Sequence, residues 1–256
     1  MIAMPDRKSL LDALIREIRR AGEAILGVYA TDFAVRGKAD ASPVTVADER
    51  AEALLVGALA RLTPSIPVVA EEAVAAAGPP QVDDIFWLVD ALDGTREFVS
   101  RHGEFTVNVA LIEQRRPTLG VVLAPALDRL FAGLDGGGAF VEQNGKRRPI
   151  ACRPPPAQGL TVVASRSHAD AAALAAFLAG RKVAQLRHAG SSLKLCLIAA
   201  GEADLYPRLG TTMEWDTAAG DAVLRAAGGS ITTLAGDILL YGKPGFENPH
   251  FVAAAG

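Results

Sequence analysis

Acidic residues that follow short apolar runs are the side chains in this sequence best suited to chemistry. Asp90 and Asp93 come directly after Trp87-Leu88-Val89, a run that predicts a short strand ending at Asp90. Two carboxylates three positions apart, leaving a strand through a tight turn, can converge on one point, which the Leu92 carbonyl can also face. Carboxylate and carbonyl oxygens are hard ligands, so this pattern indicates Mg²⁺ or Mn²⁺ rather than zinc.

Gly94 and Thr95 extend the pattern, because their backbone N–H groups could hold an anion beside such a metal. The same residues also fit an ordinary Asp-Gly-Thr turn in which Asp90 only caps the backbone. An aspartyl nucleophile of the Asp-x-Asp-x-Thr type is a poor alternative, since the two acids here are three residues apart and not two.

Other acids could join the first pair, and each has a plain structural alternative. Glu71 and Glu72 follow the strand-like run Val68–Ala70, where burial is costly unless a cation compensates; a solvated acidic loop is the alternative. Asp216 precedes an apolar-periodic segment and also fits a helix N-cap. Asp48 lies in Thr45-Val46-Ala47-Asp48, which matches a capping box. The joint arrangement of these acids, and no single one, predicts a metal site.

The elements that must position these acids follow from periodicity and breakers. Apolar residues at helical spacing predict one amphipathic helix over residues 10–25 and another over 45–62, which Pro64 and Pro67 end. Arg153-Pro154-Pro155-Pro156 is the best linker candidate. We expect an antiparallel sheet with helices in residues 1–153 and a smaller α/β part in residues 154–256, together a layered α/β fold. Strands are predicted at 105–112, 119–123, 130–134, 139–141 and 160–164, a hairpin turn at Asn144-Gly145, and helices at 169–178, 192–200 and 217–227.

Composition excludes several classes of protein. The chain has 256 residues, 50% of them hydrophobic, which is typical of a soluble globular protein with a sizeable core. A formal net charge of −3 disfavours binding to a nucleic-acid polymer. Cys152 and Cys196 are too few for a disulfide framework or a cysteine-based zinc site. No apolar run reaches the ~20 residues of a transmembrane helix, and no signal peptide is apparent.

Taken together, the motifs resemble the inositol monophosphatase superfamily and, within it, the CysQ-type 3'(2'),5'-bisphosphate nucleotidases. The resemblance spans roughly residues 10 to 250. Its carrying segments are Ser42–Asp48, Glu71-Glu72, Trp87–Phe98 (WLVDALDGTREF), Gly103–Asn108 (GEFTVN), Ser165–His168 (SRSH), Gly190–Lys194 (GSSLK), Tyr206-Pro207-Arg208 and Trp215–Gly220 (WDTAAG). One departure is Ala91, where the family usually has proline; we expect a less rigid turn and retained activity.

The resemblance implies a sugar-phosphatase fold of alternating helix and sheet layers and a role for each matching residue. Two or three Mg²⁺ ions, or Mn²⁺, would be held by Glu71, Asp90, the Leu92 carbonyl, Asp93 and Asp216, with Glu72 outside the ligand set. Gly94 and Thr95 would hold the scissile phosphate, and Glu71, Leu92, Asp93 and Asp216 would also contact the substrate. Asp48, Thr95 and Glu71 would activate the attacking water. Lys194 and Arg208 suit the second phosphate, arginine because its fork binds phosphate bidentately, and solvated surface charge is the alternative for both. Ser191 is a further candidate for substrate binding, and His168 could line the ribose or base.

The implied reaction converts 3'-phosphoadenosine 5'-phosphate to AMP and phosphate, with inhibition by lithium. The implied setting is a cytoplasmic enzyme, monomeric or homodimeric, with peripheral association with the inner membrane also compatible. Three alternatives stay open at this point: an inositol or other sugar monophosphatase of the same superfamily, a catalytically silent nucleotide sensor, and a structural metal-binding module.

Overall fold

The computed structural model describes residues 6–37, 43–166 and 170–255 of the chain. Its helices, in chain order, are α1 (Arg7–Tyr29), α2 (Val46–Leu62), α3 (Glu71–Ala77), α4 (Thr95–Val99), α5 (Ala171–Leu178), α6 (Leu193–Ala199) and α7 (Glu214–Ala226). Its strands are β1 (Val35–Gly37), β2 (Pro43–Thr45), β3 (Val68–Ala70), β4 (Ile85–Asp93), β5 (Thr106–Glu113), β6 (Arg116–Ala124), β7 (Arg129–Leu134), β8 (Gly138–Gln143), β9 (Lys146–Ile150), β10 (Leu160–Ser165), β11 (Val183–Ala189), β12 (Leu205–Arg208), β13 (Thr212–Met213), β14 (Gly229–Thr233), β15 (Glu247–Asn248) and β16 (Phe251–Ala255).

Two large sheets and two pairs of helices form alternating layers, as the resemblance implied; β1-β2 and β13-β15 are separate two-stranded sheets. The larger sheet has seven strands in the order β3-β4-β5-β6-β7-β8-β9, antiparallel except for the parallel pair β3 and β4. The smaller sheet has five strands in the order β11-β10-β12-β16-β14. Helices α1 and α2 cover one face of the larger sheet, and α6 and α7 lie between the two sheets.

The β-period of the sequence sorts side chains to the two faces of the larger sheet. Along β4, Trp87 and Val89 join the core under α1 and α2, while Phe86 and Leu88 join the core under α6 and α7. All four side chains are buried, which is why β4 is apolar on both faces as far as Asp90. The predicted antiparallel sheet and its helical cover are confirmed.

Helix α7 approaches the larger sheet more closely than side chains would permit. A Cβ atom on Gly120 would lie 2.5 Å from the Ala219 carbonyl oxygen, and one on Gly133 would lie 2.6 Å from that of Ala222. Glycine at both positions therefore lets the helix backbone rest on the strands. This contact fixes where the N-terminus of α7, and hence Asp216, lies.

Several local predictions are confirmed, with shifted ends. Helices α1 and α2 occupy the two segments predicted from periodicity, and Thr45 caps α2. Asn144 and Gly145, with φ of 50° and 69°, form the β8–β9 hairpin turn. Helix α7 begins three residues before its predicted start. The division at residue 153 stays a prediction: α7 packs on the larger sheet, so the α6–α7 core draws on both parts. None of the described helices combines the length and the apolar content that a membrane span requires.

Candidate active site

The predicted ligands gather where β3 and β4 end and α7 begins. Strands β3 and β4 are parallel, so their carboxyl ends lie at the same edge of the sheet, and Glu71 begins α3 directly after β3. Strand β4 does not end at Asp90, as the sequence predicted, but continues to Asp93. Asp90 pairs with Asn108 and Asp93 with Thr106, so the register shifts by one residue between them.

This β-bulge explains how two acids three positions apart serve one site. In a regular strand, residues three apart point to opposite faces. One extra residue in β4 offsets that alternation and bends the strand, which re-aims the side chain that follows. A bulge, and not the predicted turn after a strand end, therefore brings Asp93 toward the face that carries Asp90.

Each of the three aspartates is tethered by one oxygen. A backbone N–H group donates to Asp90 from Leu92 at 3.0 Å, to Asp93 from Ser192 at 2.5 Å, and to Asp216 from Met213 at 2.9 Å. The other carboxylate oxygen of each accepts no hydrogen bond from the described residues. Because Asp216 lies three residues inside the cap of α7 and not at it, the N-cap alternative for Asp216 is wrong.

Burial and mutual repulsion act on the titration of these acids. Burial raises the pKa of Asp90 well above its usual range, and the charges of Glu71, Asp93 and Asp216 raise it further. Burial raises the pKa of Asp93 to about 6, although Lys194 and the Ser192 N–H group oppose the rise. Burial and the charges of Asp93 and Glu71 likewise raise the pKa of Asp216. The four predicted acidic ligands are therefore close enough to act on one another electrostatically.

These acids form a loose cluster and not a closed cage. Across residues 6–37, 43–166 and 170–255, no three His, Cys, Asp or Glu side chains are placed closely enough to hold a metal ion between them. The ligand assignment therefore stays a prediction. The donor set nevertheless fits a hard dication, since each aspartate keeps one uncommitted oxygen and a positive charge would offset their raised pKa values.

Asp48 and Thr95 form the hydroxyl–carboxylate pair that the resemblance implied. The Thr95 hydroxyl lies 3.3 Å from Asp48 Oδ1 and 3.2 Å from the Leu92 carbonyl oxygen, and its single hydrogen can serve one of them at a time. Asp48 Oδ2 also accepts from the backbone N–H and the hydroxyl of Thr45. The capping box is thus confirmed, and the cap and the contact with Thr95 use different oxygens of Asp48. Gly94, with φ of 86°, makes the turn between the end of β4 and Thr95, the first residue of α4.

The residues predicted to bind the second phosphate lie beside Asp93 and Asp216. Lys194 is buried and donates to the carbonyl oxygens of Ala189 at 3.3 Å and Ser191 at 2.6 Å. Burial lowers the pKa of Lys194 to about 8, with Asp93 opposing the shift and Arg208 adding to it. Arg208 donates to the Gly210 and Thr211 carbonyl oxygens.

Ser191 is half-buried with φ of 49°, and its substrate role stays a prediction. His168 lies outside the described residues.

Sequence reasoning missed three buried polar residues at the site. Glu52 accepts the N–H groups of Glu72 at 2.8 Å and Ala73 at 2.9 Å, which caps the first turn of α3 beside Glu71. Burial, opposed by those two hydrogen bonds, raises the pKa of Glu52 to about 7. Ser192, and not its neighbour Ser191, contacts Asp93, and Asn108 contacts Ser192 at 2.6 Å. Ser192 and Asn108 lie inside the segments GSSLK and GEFTVN that carry the resemblance, whereas the signal for Glu52 was only a polar residue at an otherwise apolar position of a helix.

Comparison with known proteins gives consistent results. The model of the inositol monophosphatase family matches residues 6–255. The 3'(2'),5'-bisphosphate nucleotidase CysQ of Escherichia coli O157:H7 is 46% identical over 94% of this chain and 98% of its own length. The crystal structure of CysQ from Bacteroides thetaiotaomicron superposes with a TM-score of 0.82 at 35% identity, covering 97% of this chain and 98% of that one. The inositol monophosphatase from Anabaena superposes with a TM-score of 0.76 at 26% identity, covering 97% and 91%.

Proposed function

The chain belongs to the inositol monophosphatase family, and we propose that it is a magnesium-dependent 3'(2'),5'-bisphosphate nucleotidase. The proposed reaction removes the 3'-phosphate of 3'-phosphoadenosine 5'-phosphate and gives AMP and phosphate. The observation that carries this proposal is the cluster of tethered acids at one sheet edge, with the buried Lys194 and the half-buried Arg208 beside it. The acids suit a cation and the two basic groups suit a second phosphate.

The proposed ligands are Glu71, Asp90, the Leu92 carbonyl, Asp93 and Asp216, holding two or three Mg²⁺ ions, with Mn²⁺ as a substitute. When bound, the cations neutralise phosphoryl oxygens, acidify a water and stabilise the leaving oxygen. Because the acids stand apart in this structure, binding has to draw their carboxylate groups together. The tethers at Leu92, Ser192 and Met213 limit how far each side chain must turn.

The protein's own contribution to the reaction is orientation and proton transfer. Thr95 lies within reach of Asp48, so its hydroxyl can accept a hydrogen bond from the attacking water while donating to the Asp48 carboxylate. Gly94 and Thr95 present backbone N–H groups to the phosphoryl oxygens. Glu71 is the second candidate to accept the proton of that water. No side chain becomes phosphorylated, so we expect in-line displacement with inversion at phosphorus.

Specificity for a bisphosphate is assigned to Ser191, Lys194 and Arg208. The backbone carbonyls that anchor Lys194 and Arg208 fix both charges before substrate arrives, which reduces the entropy lost on binding. A substrate with a single phosphate would gain nothing from them. The same proposal includes lithium inhibition and a cytoplasmic reaction.

The test is phosphate release from three compounds, with Mg²⁺ or with EDTA. We expect 3'-phosphoadenosine 5'-phosphate to be hydrolysed with a kcat/KM far above that of inositol 1-phosphate, and AMP to be left intact. Arg208→Gln should raise KM for the bisphosphate by roughly 10–100-fold, the loss of one charged hydrogen-bonding partner. Arg116, an exposed arginine at the start of β6, provides the matched control Arg116→Gln.

Three results would contradict the proposal in different ways. Preference for inositol 1-phosphate would favour the sugar monophosphatase alternative, which the likeness to the Anabaena enzyme keeps open. Tight nucleotide binding without turnover would indicate a sensor. Activity that persists in EDTA would exclude the cation mechanism.

A further inference from the structure

Ser192 connects the predicted metal ligand Asp93 to two buried polar residues of β5. Its backbone N–H donates to Asp93 Oδ2 at 2.5 Å, and its hydroxyl oxygen lies 2.6 Å from Asn108 Oδ1 and 2.9 Å from Thr106 Oγ1. Ser192, Asn108 and Thr106 are each 4% exposed or less. Asp93 pairs with Thr106 across the β4–β5 ladder and Asp90 with Asn108, so Thr106 and Asn108 lie next to the two acids on the neighbouring strand.

The hydrogen bonds of this group run in one direction. Asn108 Oδ1 can only accept, so the Ser192 hydroxyl donates to it. The Ser192 oxygen is then left as an acceptor, so the Thr106 hydroxyl donates to Ser192. These two hydrogen bonds fix the rotation of the Ser192 side chain. They thereby also hold the Ser192 backbone, whose N–H group donates to Asp93.

Asn108 has one group that the fold does not use. Its Nδ2 atom is buried and has no hydrogen-bond partner among the described residues. Ala110 and Ile112, which follow on the same face of β5, belong to the apolar core, so an apolar side chain would suit the fold at position 108. An unpaired buried donor costs free energy, and it lies beside the acids that are predicted to hold the cation.

We propose that Thr106, Ser192 and Asn108 are positioning residues that hold Asp93 toward the cation, and that the Asn108 amide N–H donates to a water bound to that cation. The inference rests on the proposed function, because it takes Asp93 as a ligand. The residues come from both sides of position 153: Asp93, Thr106 and Asn108 precede it and Ser192 follows it. Correct seating of α6 against β5 is therefore required for a high cation affinity.

The test measures Mg²⁺ affinity by calorimetry without substrate, beside the thermal midpoint in EDTA and steady-state kinetics. Ser192→Ala removes one hydroxyl, and Asn108→Leu replaces the amide by an apolar group of similar size. Each should weaken Mg²⁺ binding by roughly 10–100-fold, as is usual when a residue that orients a metal ligand is lost. Raising Mg²⁺ should restore much of kcat, with KM for the nucleotide unchanged at saturating Mg²⁺. Ser192→Thr, which keeps the hydroxyl, should bind Mg²⁺ more tightly than Ser192→Ala.

Thr63→Val is the matched control. The Thr63 hydroxyl is buried, accepts from Trp87 Nε1 at 2.9 Å and donates to the Leu59 carbonyl, so this change also removes two buried hydrogen bonds, at the far end of α2. It should lower the thermal midpoint and leave Mg²⁺ affinity unchanged.

Wild-type Mg²⁺ affinity in folded Ser192→Ala would overturn the proposal, and this mild variant keeps the test available if Asn108→Leu does not fold. A defect confined to KM for the nucleotide would also overturn it, since the amide would then serve the substrate. If the wild type bound Mg²⁺ but did not hydrolyse the nucleotide, the proposed function alone would fail, and the affinities would still decide this inference.

Discussion

Replacing Asp93 with asparagine should make the protein more stable without magnesium and nearly inactive with it. The substitution keeps the size of the side chain and an oxygen that can accept the Ser192 N–H group. It removes only the negative charge. A residue whose purpose is a turn would respond in the opposite way, because loss of its carboxylate would lower stability.

The magnitude follows from the pKa of Asp93, which burial raises from 3.8 to about 6. Because the folded pKa lies above the unfolded one, folding favours the protonated acid, and this contribution to stability is lost as pH rises through 6. At 1.36 kcal/mol per pKa unit, the ionised form costs the fold about 3 kcal/mol at neutral pH. Asp93 is partly exposed and attracts Lys194, so we expect Asp93→Asn to gain about 1–3 kcal/mol.

The assay is thermal unfolding at pH 7.5 in EDTA and across a Mg²⁺ titration. In EDTA the variant should unfold about 2–10 °C above the wild type. A saturating ligand adds about 2.7 kcal/mol at 100 times its dissociation constant, so Mg²⁺ should raise the wild-type midpoint and barely move that of the variant. Turnover should fall by more than about 100-fold, since even residues that only orient ligands cost 10–100-fold.

A lower midpoint in EDTA, or a Mg²⁺ response equal to that of the wild type, would refute the assignment of Asp93 as a ligand. Asp128→Asn is the control, because Asp128 is an exposed acid whose carboxylate accepts a hydrogen bond from the Asn144 N–H group. The thermal midpoint of Asp128→Asn in EDTA, and its rise with Mg²⁺, should match those of the wild type.

Three further predictions concern other buried residues of the fold. Burial raises the pKa of Asp221 to about 6, so its ionisation between pH 4 and 7 lowers the free energy of unfolding. The stability of Asp221→Asn relative to the wild type should therefore rise by about 2 kcal/mol between pH 4.5 and 7.5. A pH-independent difference in urea unfolding would contradict this. Glu52→Gln leaves one N–H group of α3 without an acceptor, so calorimetry should show weaker Mg²⁺ binding; an unchanged affinity would mean that the cap does not position Glu71. Gly133→Ala places a Cβ 2.6 Å from the Ala222 carbonyl oxygen, so it should lower the free energy of unfolding by about 1–3 kcal/mol and lower kcat by moving α7. Wild-type values in thermal unfolding and in kcat would show that the contact relaxes freely.

Local signals in the sequence were sufficient for the longer helices, for most strands of the larger sheet and for most of the acids, but not for β11, β12, β14 and β16 of the smaller sheet. The capping box at Thr45 and Asp48, the Asn144-Gly145 turn and the apolar spacing of α1 each depend on residues within a few positions of one another. For that reason they can be read without knowledge of the fold. The motifs around Asp90 and Asp216 were recognisable as a set for the same reason, since each motif is contiguous.

Tertiary structure alone decided how these pieces meet. The β4 bulge arises from pairing with β5, so the sequence around Asp90 indicated a turn where the structure has a strand. Ser191 and Ser192 are chemically identical, and only the seating of α6 decides which of them contacts Asp93. Glu52 was indistinguishable from other polar residues of a helix, and the segment GEFTVN gave no contact for Asn108, because the hydrogen-bond partners of both residues are distant in the chain. The preference of a segment for helix, strand or turn depends on neighbouring residues and can be predicted from them. The partner of a buried polar group depends on which distant segments the packing brings together.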